Sequence, residues 1–210
     1  MASENNIDDK IPHMISCMIL CAGTSKRFGS NKMLAALAGR PLLAHTIDRI
    51  EPQVSDLALN GAGGAYDGFG LAVIPDSIKG QLGPLAGILT AMEWAAGLGY
   101  DRVLTVSGDT PFVPKNFAYQ LSTCPEQKIG LAQVGQNTHN VCGLWPVRLA
   151  PELGEFLRDG KSFKVQDFLA LYETCAVSFE KTNGIDPFFN VNTREDMAIA
   201  EKMLAQKARP

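Results

Sequence analysis

Apolar and polar positions alternate along this chain in blocks that read as strand, helix, strand. Residues 15–21, Ile-Ser-Cys-Met-Ile-Leu-Cys, are almost continuously apolar, as expected of a strand covered on both faces. From Pro41 to Ile50 the period changes, and Leu43, Ile47 and Ile50 fall on one side of a helix. Leu57 to Asn60 predicts a short strand, Gly61 to Gly70 a glycine-rich loop, and Leu71 to Ile74 a further strand ending at Pro75-Asp76. Gly83-Pro84 opens a helix, because proline's missing N–H would be unpaired in the first turn anyway. Leu85, Ile88, Leu89 and Met92 follow on one face, and Gly97 and Gly99 end it. Val103 to Val106 predicts a fourth strand, with Gly108-Asp109-Thr110-Pro111 at its carboxyl end.

This βαβα order predicts an α/β fold of three layers, α/β/α, around a mostly parallel, Rossmann-like sheet. In such sheets ligands sit outside the carboxyl ends of the strands. The loop over residues 21–32, Asn60, Asp76 and Asp109 all fall there.

The second half is less regular. Ile129 to Val134 and Val141 to Trp145 predict strands flanking a polar turn, Gly135-Gln136-Asn137-Thr138. Pro151 to Arg158 and Val165 to Tyr172 predict helices, and Cys175 to Phe179 a strand. Thr193 to Gln206 predicts a last helix, with Thr193 and Asp196 in the positions of a capping box. No internal repeat and no long linker interrupts the chain. A single domain over residues 14–207 is expected, behind a disordered polar tail at 1–13. Within it, residues 14–114 are expected to bind nucleotide and 115–207 the acceptor.

Composition removes several function classes. The net charge of −3 offers no surface for nucleic acid, so positive charge for an anionic ligand must be local. No apolar run approaches the roughly 20 residues that span a bilayer. Cys17, Cys21, Cys124, Cys142 and Cys175 have no metal-ligand spacing. They read as reduced, mostly buried thiols of a cytoplasmic protein.

Candidate chemistry centres on the loop after the first strand. Its small residues let backbone N–H groups approach a phosphate chain, while Lys26, Arg27 and Lys32 offset the charge. It is neither a Walker A loop nor the Rossmann fingerprint, since Gly-Lys-Ser/Thr and Gly-x-Gly-x-x-Gly are both absent. Asp109 is the metal candidate: one carboxylate can hold Mg²⁺ while phosphates and water fill the other positions. Lys32 is the electrostatic catalyst, an ammonium placed where charge grows at phosphorus. Arg27 suits a phosphate through its planar fork. Asn60 and Asp76 carry hydrogen-bonding groups suited to a base or ribose. His139 beside Asn140 reads as a hydrogen-bonding loop residue, and no nucleophilic triad can be assembled.

Together these residues resemble the bacterial molybdenum cofactor guanylyltransferase family over about residues 14 to 204. The carriers are Leu20-Cys21-Ala22-Gly23 with Arg27-Phe28-Gly29 and Lys32, Gly39-Arg40-Pro41-Leu42, Pro75-Asp76-Ser77 and Gly83-Pro84-Leu85-Ala86-Gly87. Asp109-Thr110-Pro111, Gly143-Leu144-Trp145 and Asn190-Val191-Asn192-Thr193 complete the match. Three positions depart from the pattern: Ala22 replaces a glycine, Gly108 a common cysteine, and Asn140 a proline.

The resemblance implies a nucleotidyltransferase that joins GMP from MgGTP to the phosphate of molybdopterin carrying molybdenum, with loss of pyrophosphate. It implies GTP contacts at Leu20, Cys21, Ala22, Gly23, Lys32, Asn60, Asp76 and Asp109, with Mg²⁺ on Asp109. Lys164, Asn190 and Asn192 are the pterin candidates. Other molybdenum-cofactor biosynthesis proteins and apo-molybdoenzymes are the implied protein partners. The phosphate machinery by itself serves a pterin cytidylyltransferase equally well, whereas the short chain and the ending Asn190–Asp196 speak against a sugar-1-phosphate nucleotidyltransferase. A non-catalytic nucleotide-binding chaperone would not need both Lys32 and Asp109.

Overall fold

A computed structural model describes residues 15–21, 28, 31–80, 82–182 and 184–207. The expected tail at 1–13 lies outside them. The chain order is β1 (Ser16–Leu20), β2 (Ala36–Leu37), β3 (Arg40–Pro41), α1 (Leu42–Ile50), β4 (Asp56–Asn60), β5 (Ala72–Ile74), α2 (Pro84–Gly97) and β6 (Arg102–Ser107). It continues with α3 (Phe117–Ser122), β7 (Ile129–Val134), β8 (Asn137–Pro146), α4 (Ala150–Asp159), α5 (Val165–Leu169), β9 (Thr174–Ser178) and α6 (Arg194–Lys207).

Seven strands form one sheet in the order β5-β4-β1-β6-β8-β7-β9. β1 pairs parallel with β4 and β6, β4 with β5, and β7 with β9. β8 runs antiparallel to both β6 and β7. The first-half strands are therefore parallel, as the βαβα pattern requires, and the β7–β8 hairpin supplies the one reversal. β8 begins at Asn137 rather than Val141, so the polar turn contracts to Gly135-Gln136. Gly135 takes φ +59°, which the tight reversal needs.

Side chains of β1 alternate between two cores, as the twofold period of a strand dictates. Cys17 and Ile19 join Leu43, Ile47 and Ile50 of α1 and Phe117 and Leu121 of α3 on one face. Met18 and Leu20 join Leu85, Ile88, Leu89 and Met92 of α2 and Leu153 and Leu157 of α4 on the other. Three layers result. α2 is buried more fully than a one-faced helix: Ala86, Gly87, Thr90 and Ala91 are buried as well. The reason is α4, which covers its outer side. A third cluster seats Met197 and Ala200 of α6 against Leu37, Leu42 and Val191. This docking carries the chain's last segment back toward its beginning.

Two expectations need correction. The helix expected over Val165–Tyr172 ends at Leu169. Cys124 and Cys175, expected as thiols, form a disulfide. Parallel pairing sets Cys175 opposite Gly130, and a Cβ on Gly130 would meet the Cys124 sulfur at 3.2 Å. That register brings the two Cα atoms to 6.0 Å, a separation a disulfide can span. Cys17, Cys21 and Cys142 are free and buried, as expected.

Candidate functional site

The carboxyl ends of three strands are tied at one level. The Cys21 N–H donates to the Asn60 carbonyl at 2.9 Å, joining β1 to β4. The Gly108 N–H donates to the Leu20 carbonyl at 3.0 Å, joining β6 to β1. Lys32 rises beside this edge on a short 3-10 turn, Lys32–Leu34, anchored by buried Met33. Asn31 caps the turn, its Oδ1 accepting from the Met33 N–H at 3.2 Å.

The Lys32 ammonium forms an ion pair with Asp109 Oδ2 and donates to Asn192 Oδ1 at 2.9 Å. The other Asp109 oxygen accepts from Ser107 at 2.5 Å and from Asn190 Nδ2 at 3.0 Å. Asp109 is 3% exposed. A carboxylate so buried needs this full set of donors, because an unpaired charge there would cost several kcal/mol, on the order of the desolvation penalty. Backbone contacts hold the partners in place. The Val191 N–H donates to the Asp109 carbonyl at 3.0 Å, and the Asn192 and Thr193 N–H groups both donate to Asp196 Oδ2 at 2.9 Å. The Asp196 N–H returns to Thr193 Oγ1 at 3.1 Å, so the expected capping box is present at the start of α6.

Asn60 lies at the end of β4, fully buried, and its Nδ2 donates to Asp76 at 2.9 Å and to the Ile74 carbonyl at 3.2 Å. Two expected ligand residues thus touch each other. Asn60 Oδ1 is buried without a hydrogen-bond donor among the described residues. It faces α2 at Gly87, where a Cβ would come within 2.6 Å of it. Gly87 is therefore required by close approach rather than by helix geometry.

Lys32, Asn60, Ser107, Asp109 and Asn190 line a cavity of ≈ 630 Å³ bounded also by Leu20, Cys21 and Lys164. A second hollow, with Gly61, Tyr66 and Asp76 in its wall, adjoins it at Cys21, Gly83 and Pro84. Burial pushes the thiols of Cys21 and Cys142 up to about 12, with the charge of Asp109 adding to the effect. Neither is a thiolate nucleophile near neutrality. His139 lies on β8, not in a loop, with its Nε2 3.2 Å from Asp186 Oδ2 and its ring against Phe188. Burial lowers its pKa, outweighing the opposing pull of Asp186.

Of the expected site residues, Leu20, Cys21, Lys32, Asn60, Asp109, Lys164 and Asn190 share one cavity wall. Asp76 joins it through Asn60, and Asn192 through Lys32. Ala22, Gly23 and Arg27 lie outside the described residues. Sequence reasoning passed over Ser107 and Gly87. The signal for Ser107 was a polar residue closing an apolar strand two positions before Asp109.

A family model described as the MobA-like NTP transferase domain matches residues 17–175. The molybdenum cofactor guanylyltransferase of Bradyrhizobium sp. (strain ORS 278) is 38% identical over 200 residues, covering 91% of this chain and 94% of that one. The enzyme of the same name from Rhizobium leguminosarum bv. trifolii is 39% identical over 197 residues, covering 90% and 93%. Among solved structures, molybdopterin-guanine dinucleotide biosynthesis protein A from Archaeoglobus fulgidus superposes with a TM-score of 0.70 at 19% identity, covering 91% of this chain and 99% of that one. A nucleotidyl transferase from Methanothermobacter thermautotrophicus gives 0.67 at 17% identity, covering 92% and 99%. At those identities the structural likeness speaks for the fold.

Proposed function

This chain belongs to the MobA-like NTP transferase family, and from that premise we propose that it transfers GMP from GTP to the phosphate of molybdenum-bearing molybdopterin. The products are pyrophosphate and the guanine dinucleotide form of the cofactor. The observation that carries this reading is the pairing of Lys32 with Asp109 at the carboxyl edge of the sheet, in the wall of the ≈ 630 Å³ cavity.

The reaction needs no protein nucleophile. An oxygen of the acceptor phosphate attacks the α-phosphorus of GTP in line. The bond from that phosphorus to the bridging oxygen breaks, and pyrophosphate carries away the electron pair. The protein's work is positioning and charge neutralisation. Lys32 lies in a sheltered cleft, its side chain 12% exposed, where an ammonium acts on developing charge more strongly than in water. Asn60 Oδ1, without a donor among the described residues, offers a buried acceptor for a base or ribose donor, and Asp76 holds the Asn60 amide in that orientation.

Asp109 fits Mg²⁺. Among the described residues no three His, Cys, Asp or Glu side chains gather into a metal cage. One hard carboxylate plus phosphate oxygens and water is a donor set Mg²⁺ accepts, because it keeps several waters. Bound there, it would neutralise phosphate charge and polarise the phosphoryl oxygens. Ser107 and Asn190 hold the free edge of Asp109, so the carboxylate keeps its aim when Oδ2 exchanges Lys32 for another partner.

The test is product analysis with purified protein, Mg²⁺, Mo-molybdopterin and either GTP or CTP. Stoichiometric pyrophosphate and guanine dinucleotide from GTP alone support the reading. Product from CTP would make the protein a cytidylyltransferase. Nucleotide binding without pyrophosphate release would make it a binding module.

A further inference from the structure

The glycine-rich segment after β4 carries a buried phenol. Tyr66 is 5% exposed, and its ring packs beneath Gly61, where a Cβ would stand only 2.7 Å from the ring edge. Gly61 has no freedom to be larger, because the Gly61 N–H is fixed to the Ile74 carbonyl at 3.0 Å. The ring belongs to the core on the α1 face of the sheet. Its hydroxyl reaches the edge where the catalytic groups stand.

That hydroxyl lies 3.4 Å from the Cys21 carbonyl oxygen, 3.4 Å from Asn31 Oδ1 and 3.3 Å from Asn31 Nδ2. One proton cannot serve two acceptors. The Asn31 oxygen already accepts from the Met33 N–H. The Asn31 amide nitrogen, the nearer of its two polar atoms at 3.3 Å, donates to the phenol oxygen, and the phenol proton goes to the Cys21 carbonyl. The bonds run in one direction: Asn31 to Tyr66 to Cys21. They cross from the turn that carries Lys32 to the end of β1. Burial raises the pKa of the phenol, so it keeps its proton at neutral pH.

We infer that Tyr66 is a positioning residue for Lys32. Its hydroxyl joins the last described residue of β1's exit, Cys21, to the Asn31 cap of the Lys32–Leu34 turn. The Lys32 ammonium is thereby held at a fixed distance from the edge formed by Leu20, Cys21 and Gly108. Asn192 and Asp109 restrain the tip of that side chain, while Asn31 and Tyr66 restrain its root. Cys21 and Tyr66 also meet in the wall of the hollow beside the main cavity. The role rests on the proposed nucleotidyl transfer, in which Lys32 must meet charge at one phosphorus. Tyr66 touches no reacting atom in this account. It acts through Asn31.

The decisive variant is Tyr66→Phe, which keeps the ring under Gly61 and removes only the hydroxyl. Single-turnover GMP transfer at saturating MgGTP should fall about 3- to 10-fold, the loss of one hydrogen bond. The acceptor KM and the melting temperature should stay near their starting values. A purely structural role would give the same loss in any background. The test therefore repeats Tyr66→Phe in a Lys32→Ala protein, where the inference expects no further loss. An equal loss in both backgrounds, or no loss in the first, overturns it. MgGTP titration calorimetry on the same four proteins gives a second reading independent of turnover. If the unaltered protein releases no pyrophosphate, the proposed reaction falls, and the titrations decide on Tyr66. Weaker MgGTP binding on Tyr66→Phe only while Lys32 is present supports the inference. The same weakening in both backgrounds overturns it.

Discussion

Asn190 donates to the Oδ1 of Asp109 at 3.0 Å across 81 residues of chain. With Asn192 on Lys32, it makes the end of the second half part of the charge arrangement built by the first. Asp109 should therefore be essential to turnover and only one contributor to folding. Asp109→Ala is expected to abolish Mg²⁺-dependent pyrophosphate release. It leaves Lys32, Ser107 and Asn190 without their common acceptor, so stability should fall by about 1–3 kcal/mol while unfolding stays cooperative. Pyrophosphate release against magnesium concentration, beside a denaturant titration, measures both. A near-normal rate would remove Asp109 from the mechanism.

Gly108 stands at a tight point. A Cβ there would lie 3.0 Å from the Met33 sulfur, 3.1 Å from the Cys21 sulfur and 3.2 Å from a Leu43 methyl. The Cys21 sulfur stands where a side chain at position 108 would go. Gly108→Cys should overpack the site and cost about 1–3 kcal/mol. Cys21→Ala combined with Gly108→Cys should restore most of that loss, because it vacates the space the new side chain needs. Chemical denaturation of the two single variants and the double gives the coupling. Additive losses would mean that the two positions do not share a volume.

The Cys124–Cys175 disulfide joins the segment just after α3 to the edge strand β9 across 51 residues. On the chain-entropy model, a loop of that length contributes up to about 4 kcal/mol by restricting the unfolded state. Melting in the presence of a strong reductant should therefore occur several degrees lower. Cys175→Ser should melt at that lower temperature with or without reductant. Identical melting of the oxidised and reduced protein would show that strand pairing alone holds β9.

Much of this arrangement was legible in the chain, and the gaps have physical causes. Continuous apolar runs exposed β1 and β6 because both lie inside the sheet with helices on either face, whereas the edge strand β5 keeps Ala72 exposed and shows only as a short run before Pro75. Lys32, Asn60, Asp76 and Asp109 then followed, since parallel sheets gather their ligands at one edge. α3 escaped notice because Phe117, Ala118 and Leu121 span too few turns to show a period. The partners of Asn190 and Asn192 lie 81 and 160 positions away, and no local pattern encodes such contacts. The disulfide was missed for the same reason: the parallel register of β7 and β9 creates it. Gly87 stood out only as one residue of the Gly83–Gly87 stretch, whereas its need comes from the close approach of Asn60.

Lys164 gives a test of the proposed division of labour. It precedes α5, is exposed, and borders the main cavity from the second half of the chain. Lys164→Ala is expected to raise the acceptor KM and leave MgGTP affinity nearly unchanged. Equal loss of both affinities in titration calorimetry would mean that nucleotide and acceptor share this lysine, and that the halves at 14–114 and 115–207 do not divide the two substrates.

Lys32 should matter more to the rate than to GTP binding. In the ground state the phosphates bring their own Mg²⁺, so one ammonium adds modest affinity. As pyrophosphate departs, negative charge moves onto the bridging oxygen, and an ammonium held there acts chiefly on the transition state. Losing one such donor from a preorganised site costs on the order of 10²–10³ in rate. Lys32→Ala is therefore expected to lose about that factor in single turnover, with a much smaller change in GTP affinity. Lys32→Arg should recover little. The ammonium is wedged between Asp109 and Asn192 in a cleft that leaves the side chain 12% exposed. A planar guanidinium is broader than that space and directs its protons along a fixed fork. Rapid-quench kinetics beside equilibrium titration separates the two effects. A Lys32→Ala protein that turns over normally once saturated with GTP would make Lys32 a binding residue. The loss would then appear wholly in KM, and the Asp109 pair would have to be read as a device for seating the nucleotide rather than for meeting charge in transit.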